Sequence, residues 1–171
     1  MAGDASNISI LVTGDVFIFD PDVVFVAGTH VPADIDAALP AAWLPGGLMK
    51  GDPGAEMPRD INRADVDTWQ QGVVLERFKN PKSTLNFNLY EDNEATVILV
   101  RPGKVPRPVM TYVALEFVHE DGYLERRISK KKATFWVPKD DKTEDVKGRD
   151  VQVTLTPDGQ DIWTIQEGIP A

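Results

Sequence analysis

Apolar and polar residues alternate over several stretches of the chain, and this pattern predicts a protein built mainly of β-strands. Between residues 84 and 89, leucine or phenylalanine occupies every second position, with threonine or asparagine between them. This is the period of a strand that has one buried face and one polar face. The same reasoning predicts strands at residues 8–12, 16–19, 23–26, 72–78, 83–90, 109–118, 123–128, 133–137, 150–156 and 162–165.

Turn-forming residues between these runs predict how the strands are connected. Asp121 and Gly122 form the dipeptide that is typical of a tight hairpin. Residues 20–22 and 80–82 carry proline beside aspartate or asparagine and predict turns. Residues 157–160 predict the turn of a final hairpin. The apolar positions after residue 132 are out of phase with those before 129, so we expect a bulge or turn within 129–132.

Residues 28–63 break the strand pattern and predict a long, irregular loop. Five prolines and five glycines recur in this segment, and residues 34–39 fit at most one helical turn. Loops of this length in a compact domain are usually functional or disordered. Trp43, Leu44, Leu48 and Met49 argue against disorder, because free linkers rarely carry large apolar residues. We therefore expect the segment to order against something, and we expect a second, charged loop at 139–149.

The acidic residues at 91–94 interrupt the chain before an apolar run, and two interpretations remain open. Asp92 or Asn93 could cap a short helix whose first turn carries acidic residues. Alternatively, the acidic residues form a turn into a strand, since residues 96–100 include β-branched side chains. Arg101, Pro102 and Gly103 end the element in either case.

The composition narrows the class of protein. A chain of 171 residues suits a single domain spanning 1–171. The absence of cysteine excludes disulfides, thiolate metal sites and cysteine nucleophiles. The net charge of −9 disfavours nucleic-acid binding through a basic patch. No apolar run approaches the roughly 20 residues that cross a bilayer, and the first seven residues lack the features of a signal peptide, so we expect no membrane insertion.

Candidate chemistry is sparse along the whole sequence. His30 and His119 lie far apart, and His119 sits in a predicted hairpin tip without a recognisable metal-ligand spacing. The few serines lie outside any nucleophile motif, and Gly46, Gly47 and Gly51 are not followed by the Lys-Ser/Thr pair that a phosphate loop requires. We predict no catalytic, metal or cofactor-binding residues, no cofactor and no enzymatic activity. A β-rich, acidic domain with long excursions points instead to assembly.

The order of features resembles the major tail (tail tube) proteins of long-tailed, non-contractile phages, especially those of actinobacterial hosts. The stretches that carry the resemblance run from Trp69 to Glu94 and from Arg126 to Asp158. The resemblance implies a β-sandwich or partly rolled barrel with one short flanking helix, here residues 93–100, and a long irregular loop. It also implies hexameric rings that stack into a tube through which DNA passes without sequence-specific binding. The protein would be made in the host cytoplasm and reside in the virion tail, with tape measure and tail terminator or tip proteins as partners.

Two surfaces follow from this resemblance as candidates. The polar strand positions Thr84, Asn86, Asn88 and Glu116 are candidates for the wall of the channel. The second candidate, for contact between rings, is the apolar part of the long loop, formed by Trp43, Leu44, Leu48 and Met49. An equally weighted alternative is that this loop folds back on its own protomer.

Three other classes of protein remain as alternatives. The chain could be a carbohydrate- or protein-binding β-sandwich module of a virion, which would place aromatic residues on one exposed face. It could be a tube protein of a secretion-type injection system, which shares the expected fold. A small barrel enzyme or ligand carrier would need convergent polar groups in a pocket, and the sequence does not supply them.

Overall fold

Two five-stranded antiparallel sheets pack face to face and form a β-sandwich, as the sequence predicts, although the sheets do not close into a barrel. The computed structural model describes residues 11–51, 54–69, 72–140 and 148–170, with 62–68 and 72–80 described by their backbone. Sheet A has the strand order β10-β7-β6-β1-β2, and sheet B has the order β3-β4-β9-β8-β5. The elements are β1 (Leu11–Phe19), α1 (Ala27–His30), β2 (Trp43–Pro45), β3 (Arg59–Thr68), β4 (Gly72–Leu89), α2 (Glu94–Val100), β5 (Val109–Thr111), β6 (Val113–His119), β7 (Leu124–Ser129), β8 (Ala133–Trp136), β9 (Arg149–Leu155) and β10 (Trp163–Gly168).

The main core lies between the two sheets. Alternate residues of each strand point inward, so Val16 and Ile18 of β1 meet Leu85, Phe87 and Leu89 of β4 in one buried cluster. Burying a side chain of this size stabilises the fold by about 1.5–3 kcal/mol. The alternation read between residues 84 and 89 therefore reports the buried face of sheet B directly.

The open question at residues 93–100 is settled in favour of a helix. Asn93 caps α2: its side chain accepts a hydrogen bond from the Thr96 backbone N–H at 3.0 Å. The Thr96 hydroxyl in turn accepts from the Asn93 N–H at 2.8 Å, which completes a capping box. Ala95 and Leu99 are buried in the main core, so the cap and the packing together outweigh the β-branched residues of the helix.

Residues 20–42 cover the outer face of sheet A, and two predictions here are wrong. Residues 23–26, predicted as a strand, form no strand, and Phe25 instead packs in a second cluster around Phe19 and Trp43. The helical turn predicted at 34–39 is absent, and a one-turn helix lies at Ala27–His30 instead. The long loop predicted at 28–63 is also interrupted, since β2 lies within it and β3 begins at Arg59.

Arg126 fixes this covering segment to sheet A. Its guanidinium group is buried and donates to the backbone oxygens of Asp34 and Ala37 at 3.2 and 2.9 Å. It also donates to Glu116 Oε1 at 2.5 Å and to Gln166 Oε1 at 3.1 Å. Because a buried cation without partners is costly, removal of these acceptors would strongly destabilise the contact.

The turn predicted at 80–82 is wrong, because β4 runs through it as one strand of 18 residues. Between the pairs Asp60–Lys82 and Asn62–Lys79, β4 carries one residue more than β3. Pro81 lies in this irregularity, where a missing N–H does not interrupt the ladder. A bulge therefore accommodates the residue that suggested a turn.

Three connections in the last third show where local signals succeed and fail. The hairpin at Asp121–Gly122 is confirmed, and Gly122 adopts a positive φ of 82° between β6 and β7. The bulge or turn predicted within 129–132 is also confirmed, and at this point the chain passes from sheet A to sheet B. The single strand predicted at 109–118 divides at Tyr112 into β5 and β6, which belong to different sheets.

The prediction of a final hairpin is also wrong, because its two strands belong to different sheets. β9 pairs with β4 and β8 in sheet B, whereas β10 pairs with β7 in sheet A. Residues 158–161 do form a tight turn, with Asp158 and Asp161 bridged. Pairing with distant strands, rather than the turn, decides where each strand goes. Within the predicted charged loop at 139–149, residues 141–147 lie outside the described residues, and Arg149 opens β9.

Candidate assembly surfaces

Three of the four predicted wall residues share one surface, the outer face of sheet B. Thr84, Asn86 and Asn88 alternate with the buried residues of β4 and are partly exposed. Across the sheet they pair in register with polar residues of β9, namely Thr154, Gln152 and Asp150. The Asn88 side-chain amide donates to Asp150 Oδ1 at 2.6 Å. The result is a polar sheet surface on which most groups are uncharged.

Glu116 lies elsewhere, on the outer face of sheet A. It belongs to the network of Arg126, whose guanidinium is 2.5 Å away, beneath the covering segment at 20–42. The structure therefore does not bring Glu116 together with Thr84, Asn86 and Asn88. The period of the strands predicted which residues were polar, but it could not assign them to one sheet.

The four apolar residues proposed for ring-to-ring contact also separate. Trp43 is buried on β2 and donates from its indole N–H to the His30 backbone oxygen at 2.8 Å. Leu44 and Met49 pack against the main core. Leu48 alone is largely exposed, at 67%. Contact between rings through this loop stays a prediction. Of the four side chains, Leu48 is the one that is exposed enough to contact another copy.

The segment that follows Leu48 occupies one edge of β4. The backbone N–H of Tyr90 donates to Leu48, and that of Lys50 donates to Asn88. Further along, the backbones of Glu56 and Asn86 exchange two hydrogen bonds of 2.9 and 2.8 Å. Since β9 pairs with the other edge, residues 83–89 of β4 have neighbours on both sides.

In contrast, part of β1 has an open edge among the described residues. β2 pairs with β1 only from Phe17 to Phe19, and the Gly46 N–H reaches the Val16 oxygen at 2.7 Å. From Leu11 to Asp15, β6 is the one described strand that pairs with β1. Leu11 and Val12, which lie on this stretch, are 52% and 65% exposed. An exposed apolar strand edge is a template for pairing with another chain.

A two-stranded arm extends from sheet B. β3 pairs with β4 alone, and residues 72–82 of β4 have no other partner strand in the described part of the chain. At about 3.3 Å per residue, the ten residues of β3 span roughly 33 Å. Trp69 follows β3 at the tip and is fully exposed, with a relative exposure of 103%. We call β3 and residues 72–82 of β4, with Trp69 at their end, the arm.

A groove of about 600 Å³ lies where the arm leaves the body. Its apolar lining comes from the arm base and the residues just before it, from the end of β9 and from the residues that lead into β10. The apolar lining residues include Met57, Ile61, Pro81, Leu155, Ile162 and Trp163. Arg59 and Lys82 are exposed at its rim. Sequence reasoning missed both the arm and the groove, because it placed a turn at 80–82. The signal that could have found the arm is the consecutive apolar run at 73–75, which suits a strand covered on both faces.

The remaining polar groups show structural contacts. His30 Nδ1 accepts from the Val26 N–H at 2.9 Å, and the His119 ring packs edge-on against Tyr123. Lys130 and Lys131 pair with Asp161 and with Asp158. Among the described residues, no group of three or more histidine or acidic side chains is arranged to hold a metal ion. No helix within the described ranges is both long enough and apolar enough to span a membrane.

Comparison with known proteins gives no family assignment. No protein-family model matches the chain. A search of curated proteins found no match either.

Proposed function

We propose that this chain is a structural virion protein that self-assembles into stacked hexameric rings and forms the tail tube of a long-tailed, non-contractile phage. The observation that carries the proposal is the arm, where residues 72–82 of β4 extend past the end of β9 and have β3 as their one described partner strand. An isolated two-stranded hairpin is marginally stable in water. An arm of this kind is suited to packing against further copies of the chain.

The open edge of β1 supports assembly by a second route. Residues 11–15 carry backbone N–H and C=O groups along an edge that no described strand covers. Pairing of this edge with a different edge of the next protomer is a head-to-tail contact, which gives a ring when the rotation closes. Closure removes the free edges and so favours a ring over a single protomer.

The outer face of sheet B is our candidate for the wall of the channel. It presents Thr84, Asn86 and Asn88 beside polar residues of β9. Hydroxyl and amide groups offer no fixed positive charge to phosphate, and the net charge of −9 per protomer repels it. DNA would pass such a wall without sequence-specific binding. Tape measure and tail terminator or tip proteins would contact the inside and the ends of the tube.

Negative-stain electron microscopy of the purified protein at high concentration tests the proposal. We expect rings or tubes of uniform width. Val12→Lys, which adds charge to the open edge, should abolish rings, whereas Val24→Lys, at a site 81% exposed on the covering segment, should leave them intact. A wild-type protein that stays monomeric at every concentration, by sedimentation velocity, would overturn the proposal.

One observation favours a second candidate, a carbohydrate-binding module. Trp136 is 37% exposed on the outer face of sheet B, directly across from Gln152. An aromatic ring beside amide groups is a surface to which sugars can stack and hydrogen-bond. A glycan array with the monomeric protein distinguishes the two candidates: specific glycan binding that Trp136→Ala removes would favour the module.

A further inference from the structure

We propose that the tip of the arm in one copy of the chain docks into the groove at the arm base of another copy, with Trp69 as the anchor. This inference rests on the proposed self-assembly and names the residues that would join one copy to the next. Three independent features of the arm carry it.

The first feature is the exposed anchor. Trp69 is fully exposed although it is the largest apolar side chain of the arm. Tryptophan is among the residues that most often dominate the binding energy of a protein interface. An unpartnered tryptophan at the end of a roughly 33 Å projection is placed to reach a second molecule.

The second feature is a receptor of matching chemistry. The groove is open, has a volume of about 600 Å³, and is lined by Met57, Ile61, Leu155, Ile162 and Trp163. Ile61 is 53% exposed there. A single indole ring occupies less than this volume, so the groove can accept the tip together with neighbouring backbone. Burial of both apolar surfaces would supply the driving force.

The third feature is the distribution of charge along the arm. The outer half, residues 65–69 and 72–76, contains Asp65, Asp67 and Glu76 and no basic residue. The inner half, residues 59–64 and 77–82, contains one acid and five bases, which are Arg59, Arg63, Arg77, Lys79 and Lys82. An acidic tip is attracted to the positively charged residues where the arm of another copy joins the body, and it is repelled by another acidic tip. Charge therefore selects tip-to-base contact over tip-to-tip or base-to-base contact.

The geometry of such a contact has a consequence for assembly. When the tip of one copy fills the groove of the next, the pair still offers one free tip and one free groove unless the contact is reciprocal. A head-to-tail contact that does not close repeats indefinitely. Tip-to-base docking would thus propagate a stack and is distinct from the strand-edge pairing proposed within a ring.

Complementary charge reversal gives the sharpest test. Asp67→Lys reverses one charge at the tip and changes its net charge from −3 to −1, since Asp65 and Glu76 remain. Lys82→Glu reverses one charge at the rim of the groove. Each variant alone should therefore assemble at least roughly tenfold less well than wild type. An equimolar mixture should recover assembly, because each variant's tip then meets the other's groove. Asp22→Lys and Lys104→Glu, both at exposed sites away from the arm, are matched controls that should assemble like wild type. Assembly is measured by light scattering and sedimentation velocity across a concentration series.

Removal of the anchor provides a second measurement. Trp69→Ala should raise the concentration at half-assembly at least roughly tenfold, with Val24→Ala as the control for loss of an exposed apolar side chain. Circular dichroism should show both variants folded. Since the chain has no cysteine, mixing Thr68→Cys with Gln160→Cys should also give a disulfide-linked heterodimer in excess over either homodimer.

The outcomes separate this inference from the proposed function. If wild type assembles while Trp69→Ala and both charge variants assemble equally well, tip-to-base docking is wrong and the tube proposal stands. If the mixture fails to recover assembly that each variant alone has lost, the docking is also wrong. If wild type does not assemble at all, the proposed function itself fails.

Discussion

The two halves of β4 belong to one continuous strand but lie in different surroundings. Residues 83–89 have β9 on one side and residues 48–50 and 56–58 on the other, and Leu85, Phe87 and Leu89 are at most 4% exposed. Residues 72–82 pair with β3 alone. The sequence pattern of a strand indicates that a segment is extended. It does not indicate how many neighbouring strands hold that segment in place.

The difference has an energetic meaning. In the body half, each inward side chain contributes about 1.5–3 kcal/mol by burial in the main core. In the arm half, the ladder to β3 is the described source of order, and two-stranded ribbons are marginal in water. If the arm half obtains its further partners from other copies, its stability should depend on assembly, whereas that of the body half should not.

Hydrogen exchange should show the largest effect. In the free protomer we expect amides of 72–80 to exchange through local opening, with a free energy about 5 kcal/mol smaller than that of amides at 85–89. Assembly should slow exchange in the arm and leave the body half nearly unchanged. Mass spectrometry of peptides from the two halves, at low and high protein concentration, makes the measurement. Equal protection of both halves in the monomer would contradict the comparison.

A substitution in each half should give the next largest effect. Phe87→Ala removes a ring that is 4% exposed and should lower the free energy of unfolding by about 3–5 kcal/mol. Trp69→Ala removes a fully exposed ring and should change it by less than about 0.5 kcal/mol in the monomer. Urea denaturation at a concentration below assembly distinguishes the two. A loss above about 2 kcal/mol for Trp69→Ala would mean that its ring packs against its own protomer.

The body half also shows what the sequence can predict. Alternation at 84–89 identified the buried face of β4, and buried residues alternate with exposed ones along β9 in the same way, because burial on one face leaves a period of two. The Asp121–Gly122 hairpin was predictable for a local reason, since Gly122 takes a positive φ that glycine adopts without strain. Such features depend on neighbours in sequence or on a single buried face.

Features that depend on distant partners were not predictable. Pro81 signals a turn locally, yet Lys82 and Lys79 on either side of it pair with β3, so β4 continues through a bulge. Likewise, Tyr112 divides a continuous apolar run because its two ends join different sheets. The same holds for the candidate wall residues. The sequence pattern predicted that Thr84 lies on a polar strand face, but only the sheet topology shows that Thr84 and Glu116 lie on different sheets.

Replacement of Pro81 tests the boundary between the two halves and should have the smallest effect on stability. Pro81→Thr restores a backbone N–H at a position where the ladder is already irregular, so we expect the free energy of unfolding to change by no more than about 1 kcal/mol. Assembly should respond more strongly, because a bulge bends its strand and would so influence the direction of the arm, and because Pro81 also lines the groove. Urea denaturation of the monomer and sedimentation velocity of the assembled protein measure the two effects separately. If stability falls by more than about 2 kcal/mol while assembly persists, the bulge serves the fold of the protomer, and the arm's direction is not what joins one copy to the next.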